Sequence, residues 1–203
     1  MPQPLRSLSR RTAMDWHDDW NLVAIGALNI CHVGWWCGLV TGSAIVQWLF
    51  FADCAYLLGD TCWLLFVPSC VAPRVRMTLL LHHLTVCACM PIAIGHPVLM
   101  RHLLRTWIVE LHSWNHIAAR RLPSVLARPL ARINTPLFVG LRLLGFPLTW
   151  FQYVRERALL PELVRAASIP TRMHVPLSLM HLGMYGLMLQ WARGMLLPAA
   201  KED

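Results

Sequence analysis

Lysine is nearly missing from this chain of 203 residues: Lys201 is the single lysine among 18 basic residues, and the other 17 are arginine. A lysine-rich tail that binds phosphate without regard to sequence is thereby excluded. Charge of either sign is scarce, at 14% of residues against about 25% in a soluble domain. So little charge does not cover a solvated globule, and it excludes disorder, which needs low hydrophobicity and high charge. No CxxC pair exists and the seven cysteines form no paired framework. Six of them (Cys31, Cys37, Cys54, Cys62, Cys87 and Cys89) fall in apolar runs, and Cys70 falls in a loop. They read as free thiols acting as small hydrophobes. There is no internal repeat and no low-complexity segment.

Apolar side chains are what the chain has in excess, at 57% of residues, with a mean hydropathy of +0.49. Lipid is the expected solvent for most of it. A bilayer core needs ~20 apolar residues per helix, and six segments meet that length: Trp20 to Val40, Ala44 to Val67, Met77 to Gly95, His102 to Ala119, Thr135 to Val154 and Val175 to Leu197. The fourth is the most polar. Prolines and glycines punctuate the divisions: Pro68 and Pro73, the turn Gly95-His96-Pro97, Pro123 and Pro129, then Pro161, Pro170 and Pro176. The expected fold is all-α, an integral membrane bundle of six helices. Residues 1–19 form an N-terminal arm, 20–197 the membrane domain and 198–203 a tail.

Residues 1–19 are not expected to be a cleavable signal. Asp15, Asp18 and Asp19 precede the first apolar run, which exceeds the ~7–15 residues of a signal core. A short Arg- and Ser-bearing targeting arm is the alternative reading. With six spans both termini share one side. Ten basic residues, among them Arg6, Arg74, Arg76, Arg120 and Arg121, fall on that side, against five on the other. The asymmetry predicts cytoplasmic termini, with a contact to anionic lipid as a further role. The net charge of +8 is thus a topology signal, and nucleic acid is not an expected partner.

Ionisable groups inside a membrane are costly and mark candidate sites. His32 lies in the first span, Asp60 in the second, His82 and His83 in the third, and Glu110, His112, Ser113, Asn115 and His116 in the fourth. Similar depth makes them candidates for one polar pocket. At ~100° per residue, His82 shares a face with Thr85 and Cys89, while His83 points ~100° away. Glu110 needs a proton or a partner, for which His82, His83 and the mid-span Arg142 are candidates. Asp60 has Arg74 or Arg76 as nearby cations. Packing is the plainer role for any single one of these histidines. His112 and His116 form an HxxxH pair with chelating spacing, but the histidine boxes of membrane di-iron desaturases are missing and no metal is expected. Most of the ten tryptophans read as interfacial anchors or packing residues.

Tyr56-Leu57-Leu58-Gly59-Asp60, then Arg76, then Leu81-His82-His83-Leu84-Thr85, then Val109-Glu110-Leu111-His112-Ser113 resemble in order the TLC domain. That family joins TRAM, the Lag1-type ceramide synthases, a ceroid lipofuscinosis protein and the TLCD proteins. His32 and Leu189-Gln190-Trp191 also match recurrent positions, so the resemblance covers about Trp20 to Leu197. It implies a six-helix barrel or bundle with a central cavity for lipid or acyl chains. The synthase HDxxD arrangement is replaced by Glu110 to Ser113, which looks like the TLCD branch, linked to membrane phospholipid composition and lipid handling in the endoplasmic reticulum.

Two classes of function follow. In an acyltransferase, His82 or His83 acts as general base or acyl acceptor, Glu110 and Asp60 orient them, and Arg74 and Arg76 hold the phosphates of an acyl-CoA. His32, Ser113, His116 and Arg142 complete the substrate site, and no cofactor is expected. In a non-enzymatic protein, the same pocket holds a lipid unchanged, in a sensor, an escort or a translocon-associated factor. Partners are then membrane lipid, a second copy or other membrane proteins.

Overall fold

In a computed structural model, the structure describes residues 12–160 and 171–196. The side chains of Arg74, 171–173 and 194–196 also lie outside the description. So do residues 1–11 of the arm, Leu197 of the membrane domain, the tail 198–203, and Pro161, Arg165 and Pro170. The described residues are all-helical, in eight α-helices: α1 (Ala13–Trp36), α2 (Ser43–Phe66), α3 (Pro73–Ala93), α4 (Pro97–Thr106), α5 (Glu110–Arg121), α6 (Ser124–Leu137), α7 (Phe146–Ala158) and α8 (Thr171–Leu196). A 3₁₀ turn, Trp107–Val109, joins α4 to α5 without a break, and a π segment, Phe138–Gly145, joins α6 to α7. The result is six helical rods that overlap the six expected segments; α1 ends at Trp36, short of Val40, and Leu197 lies outside the described residues.

Local chemistry sets the ends. Thr12 accepts from the Asp15 amide while Asp15 accepts from the Thr12 amide, a reciprocal cap that opens α1. Pro73 and Pro97 open α3 and α4, where a missing amide costs nothing. Gly95, at φ +84°, makes the turn between them in a conformation that a Cβ would strain. Pro136 and Pro147 flank the π segment, and each removes an amide from the helical ladder. Pro147 leaves the Leu143 carbonyl without its usual donor, and Tyr185 Oη donates to that carbonyl at 3.2 Å.

The rods close on one another. α1 packs on α2, α2 on α3, α3 on α8, α8 on α7 and the π segment, that segment and α6 on α5, and α5 on α1. α4 lies against α2, α3 and α7. Gly26 permits the α1–α5 approach: a Cβ there would stand 2.8 Å from Trp114 Nε1, which donates to the Leu22 carbonyl at 3.0 Å. Outside the packed region, Arg120 pairs with Asp18, and Arg121 with Asp15 and Asp19. The acidic run before the first apolar segment therefore clasps the basic end of α5.

The outer faces invert the rule for a water-soluble domain, and the apolar interior has charged and polar groups set into it. Phe51, Leu58, Leu65 and Phe66 on α2 face outward, Phe66 at 81% exposure. Asp53, Tyr56, Asp60 and Thr61 on the same helix are buried. α3 repeats the pattern, with Met77, Leu81 and Leu84 outside and His82 and His83 inside. In water, large apolar groups outside and charged groups inside are each unfavourable. Three helices among the described residues are long and apolar enough to cross a membrane: Ser43–Phe66, Val75–Ala93 and the rod Ser124–Ala158. The first, fourth and sixth expected spans are helical but fall outside that set. Their apolar content is diluted by polar groups: Asn21, Asn29 and His32 on α1, Glu110, His112, Ser113, Asn115 and the exposed His116 on α5, and His174 and His181 on α8.

Candidate functional site

Two histidine–carboxylate pairs join α1 to α2. His17 Nε2 donates to Asp60 Oδ1 at 2.8 Å, and Asn21 Nδ2 lies 3.4 Å from His17 Nδ1, the acceptor in that tautomer. Tyr56 Oη donates to Asn21 Oδ1 at 3.0 Å. The other Asp60 oxygen stands 3.6 Å from His83 Nδ1, and Thr61 Oγ1 is 3.4 Å from the same nitrogen. A turn and more along α2, His32 Nε2 donates to both oxygens of Asp53, at 3.1 and 3.0 Å. The His32 ring is fully buried and stacks on Trp107 at 5.3 Å, whose Nε1 donates to Asn29 Oδ1.

Beside these pairs lies a cavity of ≈ 90 Å³ between α2, α3, α4, α7 and α8. Its wall is mostly apolar, with Phe50, Leu57, Met90 and Trp107 among the lining groups. The polar groups that reach it are Asp53, His82, Thr85, His102, Thr106, Glu110 and His181. His82 Nδ1 is buried without a hydrogen-bond partner among the described residues. The His82 ring stands 5.4 Å from His83 and 6.5 Å from Trp191.

The cavity separates the expected site into parts. His82 and Glu110 line it. Asp60 and His83 sit behind His82 in the α1–α2 network, as the 100° between adjacent histidines requires. Thr85 and Cys89 line the cavity with His82, in keeping with their shared helical face. His32, Ser113, His116, Arg76 and Arg142 are not among its lining residues. Asp60 is held by His17 and His83, where Arg74 or Arg76 had been the nearby cations. Arg76 lies by Cys70, which feels its charge; the Arg74 side chain is not described.

Arg142 is buried in the π segment, donates to Ser113 Oγ at 2.5 Å and places its guanidinium 5.1 Å over the Trp191 ring. Glu110 acts on it electrostatically. Trp191 thus packs inward, though its position near a span end suits an anchor. The His112 and His116 rings stack at 6.2 Å. Among the described residues no group of three or more His, Cys, Asp or Glu is placed to hold a metal. The seven cysteines are free.

Four contributors escape the sequence reading: His17, Asp53, His102 and His181. His17 precedes the apolar run, yet it opens a buried stripe at helical spacing (Asn21, Ile25, Asn29, His32) that extending the first helix back through the acidic residues would reveal. Asp53 is visible in the second apolar run, but its partner is fixed by tertiary packing. His102 and His181 carry no local signal that distinguishes them from other span histidines.

Comparison of the chain with protein families, with curated proteins and with solved structures finds no match in any of the three. The likeness to the TLC domain rests on the residues quoted for it.

Proposed function

We propose that this chain is a multi-pass membrane protein of TLC type whose six rods enclose a pocket for a lipid or acyl chain, and that it serves membrane lipid homeostasis. The observation that carries the reading is the inverted polarity around a cavity. Apolar side chains face outward along α2 and α3, and a mostly apolar cavity inside carries His82, Glu110 and Asp53 in its wall. An apolar chain satisfies such a wall, and a polar head satisfies the groups at its end. The endoplasmic reticulum and cytoplasmic termini belong to the same proposal, from the likeness and the arginine asymmetry. Native mass spectrometry of the full chain released from nanodiscs tests it. A retained lipid or acyl adduct is expected, lost when Thr85→Trp fills the cavity. A chain that carries none, in nanodiscs made from endoplasmic reticulum lipid extract, contradicts the proposal.

A second reading, an acyltransferase, is favoured by one observation: His82 lines the cavity and its Nδ1 has no partner among the described residues. As general base it would take the proton of an acceptor hydroxyl or amine. The acceptor then attacks the thioester carbonyl of an acyl-CoA, the carbon–sulfur bond breaks, and the thiol leaves with a proton. His83, braced by Asp60, would position His82, and Arg74 and Arg76 would take the phosphates. Transfer from labelled acyl-CoA to lipid acceptors, abolished in His82→Ala, is the expected result. Equal turnover by wild type and variant refutes the catalytic role.

A further inference from the structure

His102 on α4 and His181 on α8 also line the cavity, away from the residues that motivated the first reading. Eight residues of nearly regular helix separate His102 from Glu110, about 12 Å along one rod. The two imidazoles stand 5.6 Å apart, centroid to centroid. His102 is 3% exposed. His102 Nδ1 and His181 Nε2 are both buried without a hydrogen-bond partner among the described residues.

The α7 backbone stands against each ring, at Thr149 for His102 and at Phe146 for His181. With one nitrogen without a partner in each ring, the other is the one left to meet the α7 backbone. A backbone carbonyl accepts, so that other nitrogen carries the proton. In each neutral ring the unpartnered nitrogen is then a lone-pair acceptor. Phe146 stacks on His181 at 4.1 Å and Trp150 at 5.0 Å, which fixes the ring plane.

The rest of the lining has the same sense. Besides His102 and His181 it holds two carboxylates, one imidazole and two threonine hydroxyls, and no lysine or arginine. Two arginines stand near the cavity: Arg105, whose charge acts on His102, is paired with Glu156 at 2.6 Å, and Arg142 is occupied by Ser113 and Trp191. A carboxylate or phosphate head would meet acceptors on the cavity wall, with Arg105 already committed to Glu156. A hydroxyl or ammonium head meets two acceptors in an aromatic enclosure.

We propose that His102 and His181 form a second polar subsite, which takes the hydrogen-bond-donor head of a single-chain amphiphile lying in the cavity. This deepens the lipid-pocket reading and rests on it. The subsite selects neutral or cationic heads over anionic ones. Each imidazole offers an acceptor that the donor head satisfies and that is left bare when an anion enters.

The test uses the full chain in nanodiscs and equilibrium dialysis with radiolabelled decan-1-ol, decylammonium and decanoate. The alcohol and the amine together report the donor chemistry, and their ratio separates a neutral head from a cationic one. Wild type is expected to retain either at least tenfold more tightly than decanoate. The double variant His102→Leu/His181→Leu is expected to lose that preference. His181→Gln, which keeps an acceptor, is expected to stay within threefold of wild type. Equal binding of all three ligands, or an unchanged preference in the double variant, overturns the subsite and leaves the lipid pocket standing. Binding of none of them overturns both. A measurement on wild type alone guards against variants that fail to fold. Decan-1-ol with a diazirine beside the hydroxyl is expected to crosslink within residues 146–153 or 177–184. Crosslinks confined to the neighbourhood of His82 and Glu110 contradict the assignment.

Discussion

Replacing Asp60 probes the interior network most sharply. Its carboxylate holds His17 at 2.8 Å and faces His83 at 3.6 Å, and all three side chains are buried. Removing one partner of a buried pair leaves the other uncompensated and costs about 3–5 kcal/mol. Asp60→Leu is therefore expected to destabilise the fold by that amount. Asp60→Asn keeps the shape and one carbonyl acceptor for His17, so its cost falls to about 1–3 kcal/mol. His17→Leu alone strands the carboxylate and is expected to be as costly as Asp60→Leu. The double variant His17→Leu/Asp60→Leu removes both polar groups together. It is expected to cost well under the sum, with a coupling of roughly 0.5–3 kcal/mol. Equilibrium unfolding in mixed micelles, followed by loss of helical circular dichroism, gives the four values of the cycle. Additive single effects, or an Asp60→Leu variant within about 0.5 kcal/mol of wild type, the range of an inconsequential surface change, refute the reasoning.

The other expectations are more local. Asp15 is held down to about 2 by the Thr12 amide and hydroxyl, with Arg121 adding to them. A depressed carboxylate contributes above its ordinary value of 3.8 and loses that contribution as pH falls through about 2. Hydrogen exchange in the first turn of α1 is therefore expected to stay protected down to pH 4 and to quicken between there and 2, with the dependence absent in Asp15→Asn. Tyr185→Phe is expected to cost about 0.5–1.5 kcal/mol by stranding the Leu143 carbonyl. Pro147→Ala, which restores an amide to the ladder, should erase most of that cost in a double-mutant unfolding cycle. Gly26→Ala is expected to push Trp114 off the Leu22 carbonyl and lower stability by about 1–3 kcal/mol, with a shift of the Trp114 indole proton resonance.

The rods were legible because bilayer-length apolar runs and Pro or Gly punctuation act locally. Gly95-His96-Pro97 becomes a turn for the reasons its residues supply, and His82, Thr85 and Cys89 share a face because helical spacing is fixed. Partner choice was less legible. Asp60 could be paired on paper with nearby arginines, yet it meets His17, 43 positions away, because α1 runs antiparallel beside α2. Arg142 was a natural partner for Glu110 by charge. It feels the Glu110 charge but gives its hydrogen bond to Ser113, from a π segment whose i→i+5 register leaves no mark in hydropathy. His102 and His181 were hidden for the opposite reason: each looks like an ordinary span histidine until α7 is seen to supply a backbone partner to both.

The inverted arrangement of polarity is the central claim, and site-directed spin labelling in nanodiscs measures it most directly. Labels placed singly at Phe51, Leu58, Leu84 and Phe151 are expected to be relaxed strongly by oxygen and weakly by a water-soluble nickel chelate, as groups in contact with acyl chains are. Strong relaxation by the nickel chelate at these positions would mean that they face water, and would contradict the account.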